Sequence, residues 1–358
     1  MYFVITHFTK NKGTTDYFCH FLESKNEKYL LLKHPFQNES DLKSSELWEF
    51  DGTNKRILKK FKKSSSFIGE MIRNFLITFY ISVRFLGKYK KVIAFWWFNF
   101  VPILYTRIFR KITYFWWVDY SRKRFWNVFL NFLYQLFETV WCVFANKVIS
   151  CSKRQNQARM DFHFLNIKKS IILPNGVIWE FFEKDFFQFE DVAFFYLGSL
   201  TPQHGVLDFV EYFYINVQIK NHLYIIGGGE LESDLQKTIS ENHLDTVHFL
   251  WRKNKNEIRN FLQNIQKKLY GIAPYSDIIN DHVFYGDSLK IREYLAYNIP
   301  FLVSDIPYID TDLQKYGIIY DCFEDIDFTV LRDFSFCVPQ KNQVLKQYNW
   351  KNILNKEF

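Results

Sequence analysis

The stretch GIAPYSDIINDHVFYGDSLKIREYLAYNIPFLVSD, from Gly271 to Asp305, carries the residues whose types and spacing best suit chemistry. A strand-like run, Leu269–Ala273, leads into a loop, and a short helix is predicted to start around Asp287 and Ser288. Unpaired N–H groups and the dipole at such a start favour an anion, and a diphosphate fits. Lys290 adds a positive charge there. Glu293, about a turn and a half in, can accept hydrogen bonds from sugar or ribose hydroxyls. Asn298-Ile299-Pro300 ends the helix before the strand Phe301–Ser304. A second candidate is Asp119, which follows the strand Thr113–Val118 and precedes a long helix. Carboxylates at that strand edge face ligands in doubly wound domains, although Asp119 is equally placed to cap the helix.

The elements that must position these groups alternate. Strands are expected at Tyr2–Thr6, Tyr29–Lys33, Lys91–Phe95, Thr113–Val118 and Lys147–Cys151, with a helix over Phe125–Ala145. A second series has strands at Ala193–Leu197, His222–Ile226, Val247–Leu250, Leu269–Ala273 and Phe301–Ser304. Helices fill its gaps at Leu207–Gln218, Glu230–Glu241, Lys255–Ile265 and Leu289–Tyr297. This βαβ rhythm predicts an α/β fold of two Rossmann-like domains facing across a cleft. The expected division is 1–170 and 171–342, with a helix at about 343–358 packing back on the first domain. Glu39–Lys63 is polar and reads as a surface excursion, its lysines and arginine as a solvated face. Gly227-Gly228-Gly229 lacks the spacing of a dinucleotide fingerprint and reads as a tight turn.

Composition sets the limits. The 358 residues are 48% hydrophobic and 23% charged, which excludes a disordered chain. Lysine and arginine (46) outnumber aspartate and glutamate (38), giving +8 and favouring anionic partners. No nucleic-acid-reading motif accompanies that charge, so nucleic acid is not an expected partner. Five scattered cysteines without CxxC spacing argue against a disulfide framework or zinc site and fit a reducing cytoplasm. The N-terminus reads as a strand and lacks the features of a signal peptide. The apolar run Val92–Tyr105 is too short to span a bilayer. It reads as a core strand with a proline break, or as a basic, aromatic surface in a membrane interface.

Five pieces in order give a resemblance. Leu173-Pro174-Asn175-Gly176-Val177, the glycine loop Leu197-Gly198-Ser199 with His204-Gly205-Val206, Leu223–Gly229, Val247–Leu250 and the block from Gly271 to Ser304 are similar to segments of GT-B glycosyltransferases, particularly the retaining family 4 (group 1). Within the block, Gly271, Pro274, Lys290, Ile291, Glu293, Tyr294, Leu295, Ala296, Pro300 and Ser304 fall in step. The resemblance implies that Glu293 holds the donor ribose and that Gly286-Asp287-Ser288-Leu289 forms the phosphate loop. It implies donor contacts from Gly198, Ser199, His204, Gly227 and Tyr275, and from Arg252 and Lys253 flanking the base. Gly13 corresponds to the family's glycine-bearing first loop, and Trp117–Phe125 is similar to a segment that makes Asp119 a contact for the acceptor or the transferred sugar.

Two departures matter. Tyr285 stands where many members have the first of two glutamates, and Ser199 and His204 replace a basic pair. Asp277, Asp281 or Asp287 could supply the missing carboxylate, and Lys290 more of the positive charge. The activity implied is transfer of a sugar from a nucleotide-diphosphate sugar to a glycan or lipid-linked acceptor, with Asp119, Lys290 and Glu293 central. Neither cofactor nor metal is expected, since no DxD stands in a plausible loop position: Asp310-Thr311-Asp312 is one by letters but follows the last strand, and cationic side chains can do that work. The alternative is a GT-B-like sugar-nucleotide-binding protein with impaired catalysis. The expected place is cytoplasmic, with possible peripheral contact on the inner face of an anionic membrane.

Overall fold

The computed structural model describes residues 1–8, 14–35, 44–62, 67–95, 105, 107–125, 127–177, 182–216, 221–276 and 282–358. The chain divides into two compact units, Met1–Pro174 with Leu354–Phe358, and Asn175–Ile353.

Unit 1 is built on a sheet ordered β4-β3-β2-β1-β5-β6-β7-β8. β1 (Tyr2–Phe8), β2 (Tyr29–Pro35), β5 (Lys91–Ala94), β6 (Ile112–Trp116), β7 (Lys147–Ser150) and β8 (Ser170–Ile172) are parallel. Their near-continuous apolar sequences suit strands covered on both faces. The helices are α1 (Thr14–Ser24), α2 (Phe67–Arg84), α3 (Val128–Phe144) and α4 (Lys153–His163). β3 (Ser45–Phe50) and β4 (Lys55–Phe61) form an antiparallel hairpin on the sheet edge, where a surface excursion was expected. Asp51 closes its turn by accepting from the N–H groups of Thr53 and Asn54. β4 is exposed over Lys55–Lys60, so no in–out alternation marks it in sequence.

Unit 2 is a parallel sheet ordered β11-β10-β9-β12-β13-β14. Its strands are β9 (Val192–Ser199), β10 (His222–Gly228), β11 (Val247–Phe249), β12 (Lys268–Ala273), β13 (Phe301–Ser304) and β14 (Gly317–Tyr320). Alternate side chains feed two cores. One gathers Phe195, Leu269, Ile291 and Tyr294, and the other Phe194, Tyr196, Phe209 and Leu235. Covering helices are α5 (Val206–Asn216), α6 (Glu232–Glu241), α7 (Lys255–Asn264), α8 (His282–Tyr285) and α9 (Leu289–Ala296). α10 (Thr311–Gln314) and α11 (Phe328–Asp333) follow. The single helix expected at 343–358 is two, α12 (Val338–Lys346) and α13 (Trp350–Asn355). Asn349 bridges to Val177, so the ends of unit 2 meet. The residues after α13 pack in unit 1, where the Phe358 ring lies 4.9 Å from that of Phe18 and 5.1 Å from that of Tyr114.

Candidate active site

α9 starts at Leu289, with Ser288 as its N-cap residue. The Ser288 hydroxyl does not cap the helix; it shares a 2.8 Å hydrogen bond with the Tyr275 hydroxyl. The first-turn N–H groups are therefore left without a side-chain cap, the arrangement that favours an anion. Lys290 is buried beside them. Its Nζ lies 4.5 Å from the Tyr275 ring centre, 5.5 Å from that of Tyr196, and 3.5 Å from the Tyr275 hydroxyl, to which it donates. Burial pulls the Lys290 ammonium down to about 7, with Glu293 acting the other way.

The space for that lysine is made by Gly198. A Cβ on Gly198 would stand 2.5 Å from Lys290 Cε, and the backbone there has φ +154°. Any side chain at Gly198 displaces the ammonium. Gly205, in the left-handed region at φ +58°, lets the turn Pro202–His204 dock on Pro274, whose carbonyl a Cβ would strike at 1.7 Å. That turn brings His204 edge-to-face onto Tyr275, with ring centres 5.5 Å apart. His204 Nδ1–H donates to the Ser199 carbonyl at 2.9 Å, the only role open to it against a carbonyl. Burial, with Lys290 nearby, lowers His204 to about 3, so it is neutral and does not replace the family's cation.

Gly227 pairs with Gly198 and Gly228 with Ser199 at the ends of β10 and β9. Arg252 reaches the same edge, since a Cβ on Gly228 would meet its Nε at 2.2 Å. Lys253 follows, half-buried. Thus Gly198, Ser199, His204, Gly227, Arg252, Tyr275, Ser288, Leu289 and Lys290 converge on the C-terminal ends of β9, β10 and β12, where parallel sheets bind ligands.

Asp287 plays a different part from the one expected. Both of its oxygens accept from Arg292 Nη1 at 2.7 Å, and one also accepts the Asn175 N–H at 2.7 Å. Its carbonyl takes the Asn175 side chain at 3.0 Å, and Arg292 reaches on to Asp310 at 3.1 Å. Burial raises Asp287 to about 6 against the pull of Arg292. The carboxylate is spent on holding the loop and is not free to stand in for the one absent at Tyr285. Gly286, half-buried, is fixed from the other side, its carbonyl accepting from the Tyr308 N–H at 3.1 Å.

Glu293 is half-buried and lines a concavity with Lys255, Asn256, Arg259 and Tyr297. Burial raises its carboxyl, while Lys255 and Lys290 pull it down. Sequence reasoning missed Lys255, Asn256 and Arg259. The available signal was the capping box of Asn254 and Glu257, which starts α7 and puts these residues on its first turns.

Asp119 lies in unit 1, half-buried in the turn after β6. It does not cap α3: Asn127 does, accepting from the Leu130 N–H at 3.0 Å. Gln155 Nε2 holds the approach to this turn by donating to the carbonyls of Trp117 and Val118. Arg159 Nη2 donates to Trp117 as well, at 3.0 Å. Gly13, Asp277 and Asp281 lie outside the described residues. Tyr285 is half-buried with its ring 5.1 Å from that of Phe284. A tyrosine there supplies no carboxylate.

Among the described residues, no helix is long and apolar enough to cross a membrane. No curated protein matches this chain. The family model "Glycosyl transferases group 1" matches residues 177–315. Solved structures are similar over nearly the whole chain. A lipopolysaccharide outer core galactosyltransferase, WaaB, aligns at 14% identity over 99% of this chain and 98% of its own, with TM-score 0.68. Anabaena HepE in complex with UDP aligns at 11%, over 99% and 98%, with TM-score 0.65. The trehalose 6-phosphate synthase of Burkholderia multivorans aligns at 10%, over 99% and 94%, with TM-score 0.64. Residues 177–315 are thus similar to the group 1 glycosyltransferases, and the whole chain shares the GT-B fold of these solved structures.

Proposed function

We propose that this protein transfers a hexosyl group from a nucleotide-diphosphate sugar to a glycan or lipid-linked acceptor, with retention of anomeric configuration, in cell-surface polysaccharide or glycoconjugate synthesis. The observation that carries the reading is the uncapped start of α9 beside the buried ammonium of Lys290. In the reaction the bond from the anomeric carbon to the diphosphate breaks, a bond to the acceptor oxygen forms, and the acceptor hydroxyl's proton passes to the departing diphosphate oxygen. Charge builds on the leaving diphosphate. Lys290 and the N–H groups of Leu289 and its neighbours, already oriented, stabilise that charge without rearranging, an effect worth about 3–4 kcal/mol per donor in comparable sites.

Glu293 holds the ribose hydroxyls, Arg252 and Lys253 flank the base, and Asp119 contacts the acceptor hydroxyl or the transferred sugar. The positive charge is supplied by side chains, so the reading needs neither metal nor cofactor. HepE was solved with UDP, and a starch synthase on this fold with ADP, which supports nucleotide diphosphate as the ligand class. A thermal-shift panel of UDP-, GDP- and ADP-sugars identifies the base. Calorimetric titration of the matching diphosphate into Lys290→Ala and Glu293→Ala tests the site, and unchanged affinity in both removes it.

Tyr285 favours a second reading, a sugar-nucleotide-binding protein that does not transfer. Donor binding without hydrolysis or transfer across the panel would establish it.

A further inference from the structure

Three of the four cations on the basic hairpin strand are spent in ion pairs, Lys59 lying over the rings of Phe61 and Tyr80 instead. Lys55, Arg56 and Lys60 of β4 are each paired with a glutamate, Glu23, Glu49 and Glu46. A denser group of cations outside any ion pair lies on the edge where β5, β6, β7 and β8 begin. The turns 84–91, 107–112, 144–147 and 164–169 feed these strands and are neighbours in the sheet. Together they hold ten lysines and arginines and no aspartate or glutamate. None of these cations is in an ion pair among the described residues.

The same turns expose apolar side chains, Ile108 at 75% and Phe164 at 76% among them. Two helices extend this apolar surface. α2 buries Ile77 and Ile81 against Phe3, Ile5 and Val92, and α3 stacks Trp141 on Phe115 at 4.8 Å. Ile5 pairs with Ala94 and Ala94 with Phe115, so both helices cover one sheet face. Outward, α2 shows Ile72, Leu76, Phe79 and Val83, and α3 shows Val128, Phe129, Phe132 and Leu136, each at helical spacing. Tyr105 and Arg107 join the two stripes. The Tyr105 ring lies 5.8 Å from Phe79, and Arg107 lies over the Phe144 ring and donates to its carbonyl at 3.3 Å.

We propose that this face and its cationic rim dock unit 1 on an anionic lipid bilayer. An apolar stripe alone would suit a second copy of the chain, but a self-interface would set ten cations against ten. Aliphatic and aromatic side chains flanked by unpaired cations match the boundary between acyl chains and anionic headgroups. The inference stands apart from the transfer reaction, whose donor residues are in unit 2.

The test is flotation of the full chain with phosphatidylcholine vesicles, with and without phosphatidylglycerol, at low and high salt. Binding is expected only with phosphatidylglycerol, and should weaken with salt. R110E/K111E should lower it by about tenfold or more. Phe129→Ser/Phe132→Ser, at two exposed positions, should also lose it. Both variants should keep the melting temperature of the parent and its nucleotide-diphosphate affinity, which separates this proposal from the donor site. No binding to anionic vesicles, or binding unchanged in both variants, overturns it. A dimer that the variants dissolve, without vesicle binding, overturns it too and assigns the face to a second copy.

Discussion

Lys290 is poised to gain a proton when a diphosphate arrives. Desolvation by burial holds it near 7, and a bound anion favours its charged form. Affinity for a nucleotide diphosphate should therefore fall as pH rises through 7. Lys290→Met should remove that dependence and weaken binding by about 10–100-fold, as loss of a charged hydrogen-bond donor does. Titrations near pH 6 and near pH 8 decide both points. At this scale the sequence already marked Lys290, Tyr275 and Gly198, because each is local to a loop at a strand end. The role of Asp287 was hidden. Its partners are Arg292, five residues on, and Asn175, whose distance in sequence only the fold closes.

Elements repeat the lesson with more partners. Arg292, Asp287 and Asp310 form a buried ion network that pins the start of α9 to Asn175. Removing one charge strands another in low dielectric, so Arg292→Met should cost about 3–5 kcal/mol in chemical denaturation. Donor affinity should fall with it. In unit 1, His163 sits between the hydroxyls of Tyr120 and Thr139, and burial lowers it to about 3. The fold therefore binds fewer protons than the unfolded chain between about 3 and 6.5. Stability is full above 6.5 and is lost as pH falls. The expected loss by about pH 5 is about 2 kcal/mol, and His163→Gln should show less of it when denaturation is compared at pH 7 and about pH 5. The parallel strands were legible as apolar runs at regular intervals. The hairpin β3–β4 was not, because an exposed edge strand with paired charges carries no burial pattern, and three-residue β8 and half-buried β14 are too weakly marked to show.

Over the whole molecule, unit 1 takes back the chain after residue 353. Phe358→Ala removes a half-buried ring from Phe18, Tyr114 and Trp116, and should cost about 2 kcal/mol in thermal unfolding, less than a fully buried phenylalanine. Unit 2 is thus an insertion: it interrupts unit 1 between residues 174 and 354. Because Val177 and Asn349 are bridged, the polypeptide enters and leaves unit 2 through one doorway. An inserted body with adjoining ends needs no scaffold to hold them together. Residues 175–353 produced alone should fold and bind the nucleotide diphosphate as the full chain does, which calorimetry on the excised piece would check. Evolution or an engineer could then exchange this cassette for another of the same fold, leaving unit 1 untouched.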